Sequence, residues 1–315
     1  MAKYSTAVED VTFGMEYECT VPLGSIGDHS IHIGAWRDPS SLGQDFPNFW
    51  KGKTDASIRA REGRTDLEAV SPILLGASGL LEAMSVAESL CVHGARVNLS
   101  CGFHVHIGFK SIMGMNPLWR DVAEWVRRLI LLVGYYENGL LAVTGSQSRI
   151  DNHFCRSIKG TWETRVDYLK LNQRGSFLTD LIGAGIASRY DLLNLTNLFS
   201  NDKSTVEFRS FPGTLNPIKV AAYVQIALGL AVKAAEETGS AKHWGLRENG
   251  TKHHHPFRNW EDEWMMLRAA LGWNNNKGAK HYGWLLPWED WSTRILDEML
   301  KMARKLDTAG VRSRN

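Results

Sequence analysis

Phe13-Gly14-Met15-Glu16-Tyr17-Glu18, inside a run from Val11 to Val21, decides the fold. Apolar and acidic residues alternate along it. Successive side chains of a strand point to opposite faces, so Glu16 and Glu18 share one face while Phe13, Met15 and Tyr17 share the other. The apolar face marks the core side. The same spacing returns twice downstream. In Gly102-Phe103-His104-Val105-His106-Ile107-Gly108, His104 and His106 face together against Phe103, Val105 and Ile107. In Val206-Glu207-Phe208-Arg209, Glu207 and Arg209 face together against Val206 and Phe208, and Leu67-Glu68-Ala69-Val70 adds another carboxylate.

Taken singly, each pair has a bland explanation. Glu16 with Glu18 suits the solvated face of an edge strand, His104 with His106 suits satisfied histidines, and Glu207 with Arg209 suits a cross-strand ion pair. Taken together they point to a site, because the bland explanation must be invoked separately each time. Neighbouring strands would bring four carboxylates, two imidazoles and a guanidinium to one sheet face. Carboxylates so close raise one another's pKa unless a cation sits among them. Oxygen-rich ligation with one imidazole suits Mg²⁺ or Mn²⁺, and the planar fork of Arg209 suits a phosphate or carboxylate.

Around these strands the pattern alternates with helices. Apolar spacing predicts helices over Ser78–His93, Pro117–Tyr136, Ile218–Glu237 and Trp288–Leu306, with Gly94 as a stop for the first. Val97–Phe109 is expected as a strand, and Leu192–Leu198 with Ser204–Phe211 as a hairpin. Residues 24–52, rich in Gly, Pro, Ser and Asp, are expected to form a long ordered loop available for substrate contact. Residues 149–190 are irregular and polar, 239–283 show no derivable shape, and His253–His255 are expected at the surface.

In this order the motifs resemble those of the bacterial and phage amidoligases, distant relatives of glutamine synthetase and glutamate-cysteine ligase. The resemblance runs through Phe13–Glu18, Asp55-Ala56-Ser57, Glu68–Pro72, Cys101–His106, Asn194–Leu198 and Thr205–Leu215, across roughly residues 11–237. It implies an α+β, glutamine-synthetase-like antiparallel sheet whose concave face holds the active site, backed by helices. It further implies ATP-dependent ligation of a carboxylate to an amine, free or carried on a peptide or polymer, through an acyl phosphate. By motif, Glu16, Glu18, Glu68, His104 and Glu207 resemble the metal ligands for Mg²⁺ or Mn²⁺. His106 resembles the partner of ATP phosphates, Arg209 the arginine that steadies the transferred phosphoryl group, and Arg149 a phosphate or substrate arginine. Residues 1–240 are expected as the catalytic domain and 241–315 as a helical extension packed on it. Two rivals share the pattern: a phosphotransferase of the same fold, and a nucleotide- or metal-binding module without turnover. A cupin-type His/Glu metal site fits poorly, since no matching Glu follows His106 and the chain carries long helices.

Composition narrows the partners. A hydrophobic share of 43% and a charged share of 22% are those of a globular chain with a substantial core. The formal net charge of +2 gives no general basic surplus for nucleic acid. Met1–Asp10 lacks an apolar targeting core and no run is expected to cross a bilayer, so a cytosolic chain is expected. The thiols Cys19, Cys91, Cys101 and Cys155 lack disulfide or metal spacing and are expected as free cysteines.

Overall fold

Strand β1 (Thr12–Pro22) is the spine of an antiparallel sheet. The computed structural model describes residues 7–26, 31–47, 49–158, 188–199, 203–236, 257–274 and 280–313. Around β1 lie β2 (Ser40–Ser41), β3 (Lys51–Lys53), β4 (Arg64–Val70), β6 (Gly102–Gly108), β7 (Leu193–Asn194) and β8 (Thr205–Pro212), in the order β2-β3-β4-β1-β6-β8-β7. The short β5 (Leu74–Leu75) pairs with the start of β1. Helices α1 (Gly76–Val92), α2 (Phe109–Met113), α3 (Trp119–Tyr135), α4 (Glu137–Ala142) and α5 (Gln147–Ile150) follow, then α6 (Pro217–Glu236), α7 (Trp260–Ala270) and α8 (Trp288–Thr308). This is the α+β antiparallel architecture that the family resemblance implies.

The apolar faces of the strands form the core against α1 and α6. Phe13, Met15, Tyr17, Phe103, Val105, Ile107, Val206 and Phe208 are all buried. The Tyr17 hydroxyl donates to the Ala83 carbonyl of α1 at 2.8 Å, and the Trp50 indole donates to Glu82 on the same helix at 2.7 Å. Phe211 stacks on Tyr223 of α6 with ring centroids 4.4 Å apart, and Trp125 of α3 donates to the Ala231 carbonyl at 3.0 Å. Each aromatic anchor brings large apolar area plus one satisfied polar tip.

Several expectations need correction. The segment from Gly24 to Gly52 is not simply a loop: β2 and β3 extend the sheet, with Lys53 opposite Glu68. Trp50 pulls this edge down, being fully buried despite its polar surroundings. The strand expected from Val97 begins only at Gly102, because the Asn98 side chain accepts from Ser100 N at 2.8 Å and turns the chain. In the hairpin the first arm stops after Asn194, whose side chain accepts from Thr196 N at 2.9 Å and opens a 3₁₀ turn over Thr196–Phe199. Helix α7 was not foreseen; Asn259 caps it by accepting from Asp262 N at 2.7 Å. Against the expectation that no run could cross a bilayer, α6 is long and apolar enough by length and composition, yet 83% of its most apolar window is buried inside the fold. All four cysteines are free, Cys19, Cys101 and Cys155 buried and Cys91 exposed. The His253–His255 run lies outside the described residues.

Candidate active site

Strand register brings the polar pairs together. Glu16 lies opposite His104, Glu18 opposite Glu68, and His106 opposite Glu207. Pairing of β6 with β8 shifts between Phe103 and Val105, so that Phe103 faces Phe211 while Val105 faces Phe208. One extra residue of β8 is thus inserted beside Arg209. Such a bulge lets Phe211 return to the core while Arg209 keeps the polar face.

The histidines sit between the carboxylates. His104 Nδ1 is 3.1 Å from Glu16 and 3.5 Å from Glu207, and its Nε2 is 3.4 Å from Glu18. His106 Nε2 is 3.3 Å from Glu16, and its Nδ1 is 3.3 Å from the Thr205 hydroxyl. Glu16, His106 and Glu207 offer three donor atoms within 4.8 Å of one another. Arg209 donates to Glu207 and, at 3.4 Å, to the Phe154 carbonyl. Buried Arg149, on α5, donates to the Cys101 carbonyl beside the cluster. All eight residues expected at the site therefore lie on or next to one sheet face.

Gly102 is what lets them meet. Its N–H donates to Glu18 at 2.5 Å, and a Cβ there would lie 2.7 Å from His104 Nε2 and 3.0 Å from the Arg149 guanidinium. Two further residues belong to the arrangement without having been foreseen. Lys53 Nζ is 3.0 Å from Glu68, and the Asn194 amide donates to Glu207 at 2.7 Å. Asn194 stood within a quoted motif but carried no charge or alternation to mark it, and Lys53 stood just beyond a segment, residues 24–52, expected to be a loop.

Charge balance shows how tightly this face is coupled. Burial alone would raise Glu16, but His106 and His104 hold it well below the ordinary carboxylate range. Glu207 is likewise lowered, burial being outweighed by His106, His104 and Arg209. Burial would lower His106, yet Glu16 and Glu207 hold it above the usual imidazole value. Glu68 goes the other way: burial and the Glu16 carboxylate push it up to about 9 against the pull of Lys53. Burial would lower Lys53, but Glu68, Glu16 and Asp55 raise it. Protons on this face thus do the balancing that a cation would do.

A divalent metal fits these donors. The trio supplies carboxylate oxygens and one imidazole nitrogen, the set that suits Mg²⁺ or Mn²⁺. His106 Nε2 is buried and makes no well-aligned hydrogen bond despite facing Glu16, so a coordinating position is already cleared. In this geometry His106 joins Glu16 and Glu207 as a trio of donors, while His104 lies between Glu16, Glu18 and Glu207. Beside Glu16 and His106 opens a cavity of about 220 Å³, lined also by Ser71, Pro72, Ile73, Lys203 and Thr205. It gives the cluster access to a small ligand.

No curated protein sequence matches the chain. Among solved structures it is similar to a bifunctional glutathione synthetase from Pasteurella multocida, at 11% identity and a TM-score of 0.40 over 96% of this chain and 51% of that one. It is also similar to the ligase PafA in complex with the prokaryotic ubiquitin-like protein Pup, at 9% identity and a TM-score of 0.38 over 97% of this chain and 65% of PafA. A GmaS/ADP complex matches at 13% identity and a TM-score of 0.37, over 96% of this chain and 71% of that one. The chain thus spans about half the length of the glutathione synthetase, and likenesses this distant carry no weight for its chemistry. Family membership rests on sequence instead: residues 37–231, more than half of the chain, match the family described as putative amidoligase enzyme. That stretch holds Glu68, His104, His106, Glu207 and Arg209, and with β1 supplying Glu16 and Glu18 to the same face, the chain belongs to the putative amidoligase family.

Proposed function

We propose that the chain is an ATP-dependent carboxylate-amine ligase that works through an acyl phosphate. The observation that carries this is the convergence of Glu16, Glu18, Glu68, Glu207, His104, His106 and Arg209 on one face of the sheet in a chain of amidoligase family. Amide formation from a carboxylate needs activation, because the carboxylate is a poor electrophile and oxide a poor leaving group. A phosphoryl group passed from ATP to a carboxylate oxygen leaves ADP and an acyl phosphate. A neutral amine then attacks the acyl carbon, phosphate departs with the former carboxylate oxygen, and the surplus ammonium proton passes to a base.

Each residue has a place in this scheme. Glu16, His106 and Glu207 would hold Mg²⁺ or Mn²⁺, which supplies positive charge to the phosphate oxygens. Arg209, fixed by Glu207 and the Phe154 carbonyl, presents its remaining donors to the charge that develops during transfer. His104 spaces Glu16, Glu18 and Glu207 and keeps them from closing on one another. Arg149, 3% exposed, adds fixed positive charge at the Gly102 end. The cavity at the opposite end, beside His106 and Lys203, admits a small reactant. Cys101 takes no part: it is buried behind the site and burial raises its thiol.

The test is ADP release over a panel of carboxylic acids and amines, with product masses recorded and hydroxylamine as a trap for activated acid. An amide whose formation needs both ATP and amine is the expected product. A phosphorylated product formed without amine would establish the phosphotransferase instead, and nucleotide binding with no turnover across the panel would establish the silent module.

A further inference from the structure

Lys53 is a half-buried cation at the edge of the acidic cluster, and neither the motif nor the proposed chemistry uses it. Its ammonium is 3.0 Å from Glu68, with the two side chains 16% and 4% exposed. The placement is built rather than incidental. Lys53 lies opposite Glu68 in the β3–β4 register, and Trp50 of the same segment is locked under the sheet by its bond to Glu82. Gly52 fixes the register further, since a Cβ there would lie 2.5 Å from the His32 carbonyl and 2.8 Å from Leu42. A one-residue slip would therefore bring Gly52 out and turn Lys53 into the core.

Glu68 in turn lies opposite Glu18. The acidic face thus has two ends of different character. At one, Glu16, His106 and Glu207 converge, with Arg209 donating to Glu207 from the side. At the other, Glu68 already carries the Lys53 ammonium. A divalent ion brought to the same Glu68 carboxylate would meet the Lys53 ammonium at short range and be repelled by it.

We propose that Lys53 is a resident cation that occupies the Glu68 end of the cluster in place of a divalent ion, so that the chain itself limits how many metal ions the site takes up. This rests on the metal-binding part of the proposed function. It makes Lys53 a positioning residue: its ammonium offsets charge at Glu68, whatever substrates are present.

The probe is Mn²⁺ alone, counted per chain by equilibrium dialysis with the EPR signal of the free ion as readout. The proteins are the intact chain, Lys53→Met, Lys53→Arg, and Lys53→Met combined with Glu68→Gln, with circular dichroism checking the fold. Lys53→Met is expected to take up one Mn²⁺ ion more than the unmodified chain. Lys53→Arg, which keeps the charge, is expected to match the unmodified chain, and adding Glu68→Gln is expected to abolish the gain. Should Lys53→Met not fold, Lys53→Gln replaces it. Equal uptake by the intact chain and the uncharged variant overturns the resident-cation proposal while leaving the metal site standing. No uptake by any of the proteins overturns both.

Discussion

Gly102→Ala separates folding from function at this site. The added methyl would lie 2.7 Å from His104 Nε2, 3.0 Å from Arg149 and 3.1 Å from Glu18. All three atoms are side-chain tips, so the backbone has no need to move. To reach ordinary contact the His104 ring must retreat by about 1 Å. Alanine in a strand is favoured over glycine by roughly 0.5–1 kcal/mol, while overpacking costs about 1–3 kcal/mol. The net loss is of the order of 1 kcal/mol, a fall of no more than about 2–4 °C in Tm for a chain of this size. Turnover is more sensitive: a displacement of about 1 Å among positioned groups costs on the order of 100-fold. The control is Gly24→Ala, where nothing lies within 4 Å of the new carbon and both quantities should stay unchanged. Thermal melts, Mn²⁺ binding and amine-dependent ADP release measure the three effects. Full turnover and unaltered Mn²⁺ binding in Gly102→Ala would refute the claim that the cluster depends on this missing side chain.

Glu207→Gln removes charge from the trio and from the Arg209 pair, so Mn²⁺ affinity should fall at least tenfold or so and turnover on the order of 100-fold or more; Cys101→Ser should keep both, and the reverse ranking would point to thiol chemistry. Arg209→Lys keeps the charge but loses the fork that spans Glu207 and the Phe154 carbonyl, so turnover should drop about 10–100-fold, with near-normal rates ruling out its role. Mn²⁺ binding should tighten as pH rises, because Glu16 and Glu207 hold His106 above the usual imidazole value and the proton must leave before the ring can coordinate. Below the folded His106 value each pH unit should weaken binding by up to about tenfold, and a flat affinity between about pH 6 and 8 would contradict the assignment.

Alternation made much of this site legible in advance. Glu16 with Glu18, His104 with His106, and Glu207 with Arg209 are visible because a strand's period of two is printed in the order of residues. What alternation cannot show is register: that Glu16 stands opposite His104 and Glu207 opposite His106 is visible only in the fold. Lys53 was hidden because its strand spans only Lys51–Lys53 and contains a glycine, too short for any period to emerge. The bulge at Arg209 did leave a trace, since the apolar positions Val206, Phe208 and Phe211 break step by one residue. Helix α7 could have been found from Asn259 and Asp262, a capping pattern ahead of Trp264 and Leu267, had the surrounding polar tract not obscured it.

The interior helix α6 sets a limit on how this chain can vary. The matched segment stops at residue 231, but α6 runs to Glu236 with apolar side chains on every side and packs against α1, α3 and α8. Removing α8 would uncover part of α6 and give an apolar rod as long as a bilayer is thick a reason to find lipid or another unfolded chain. Any relative that dispenses with the last helix must therefore bring another cover, from its own tail or from a neighbour, while remaining free to rewrite the sequence of that cover almost entirely.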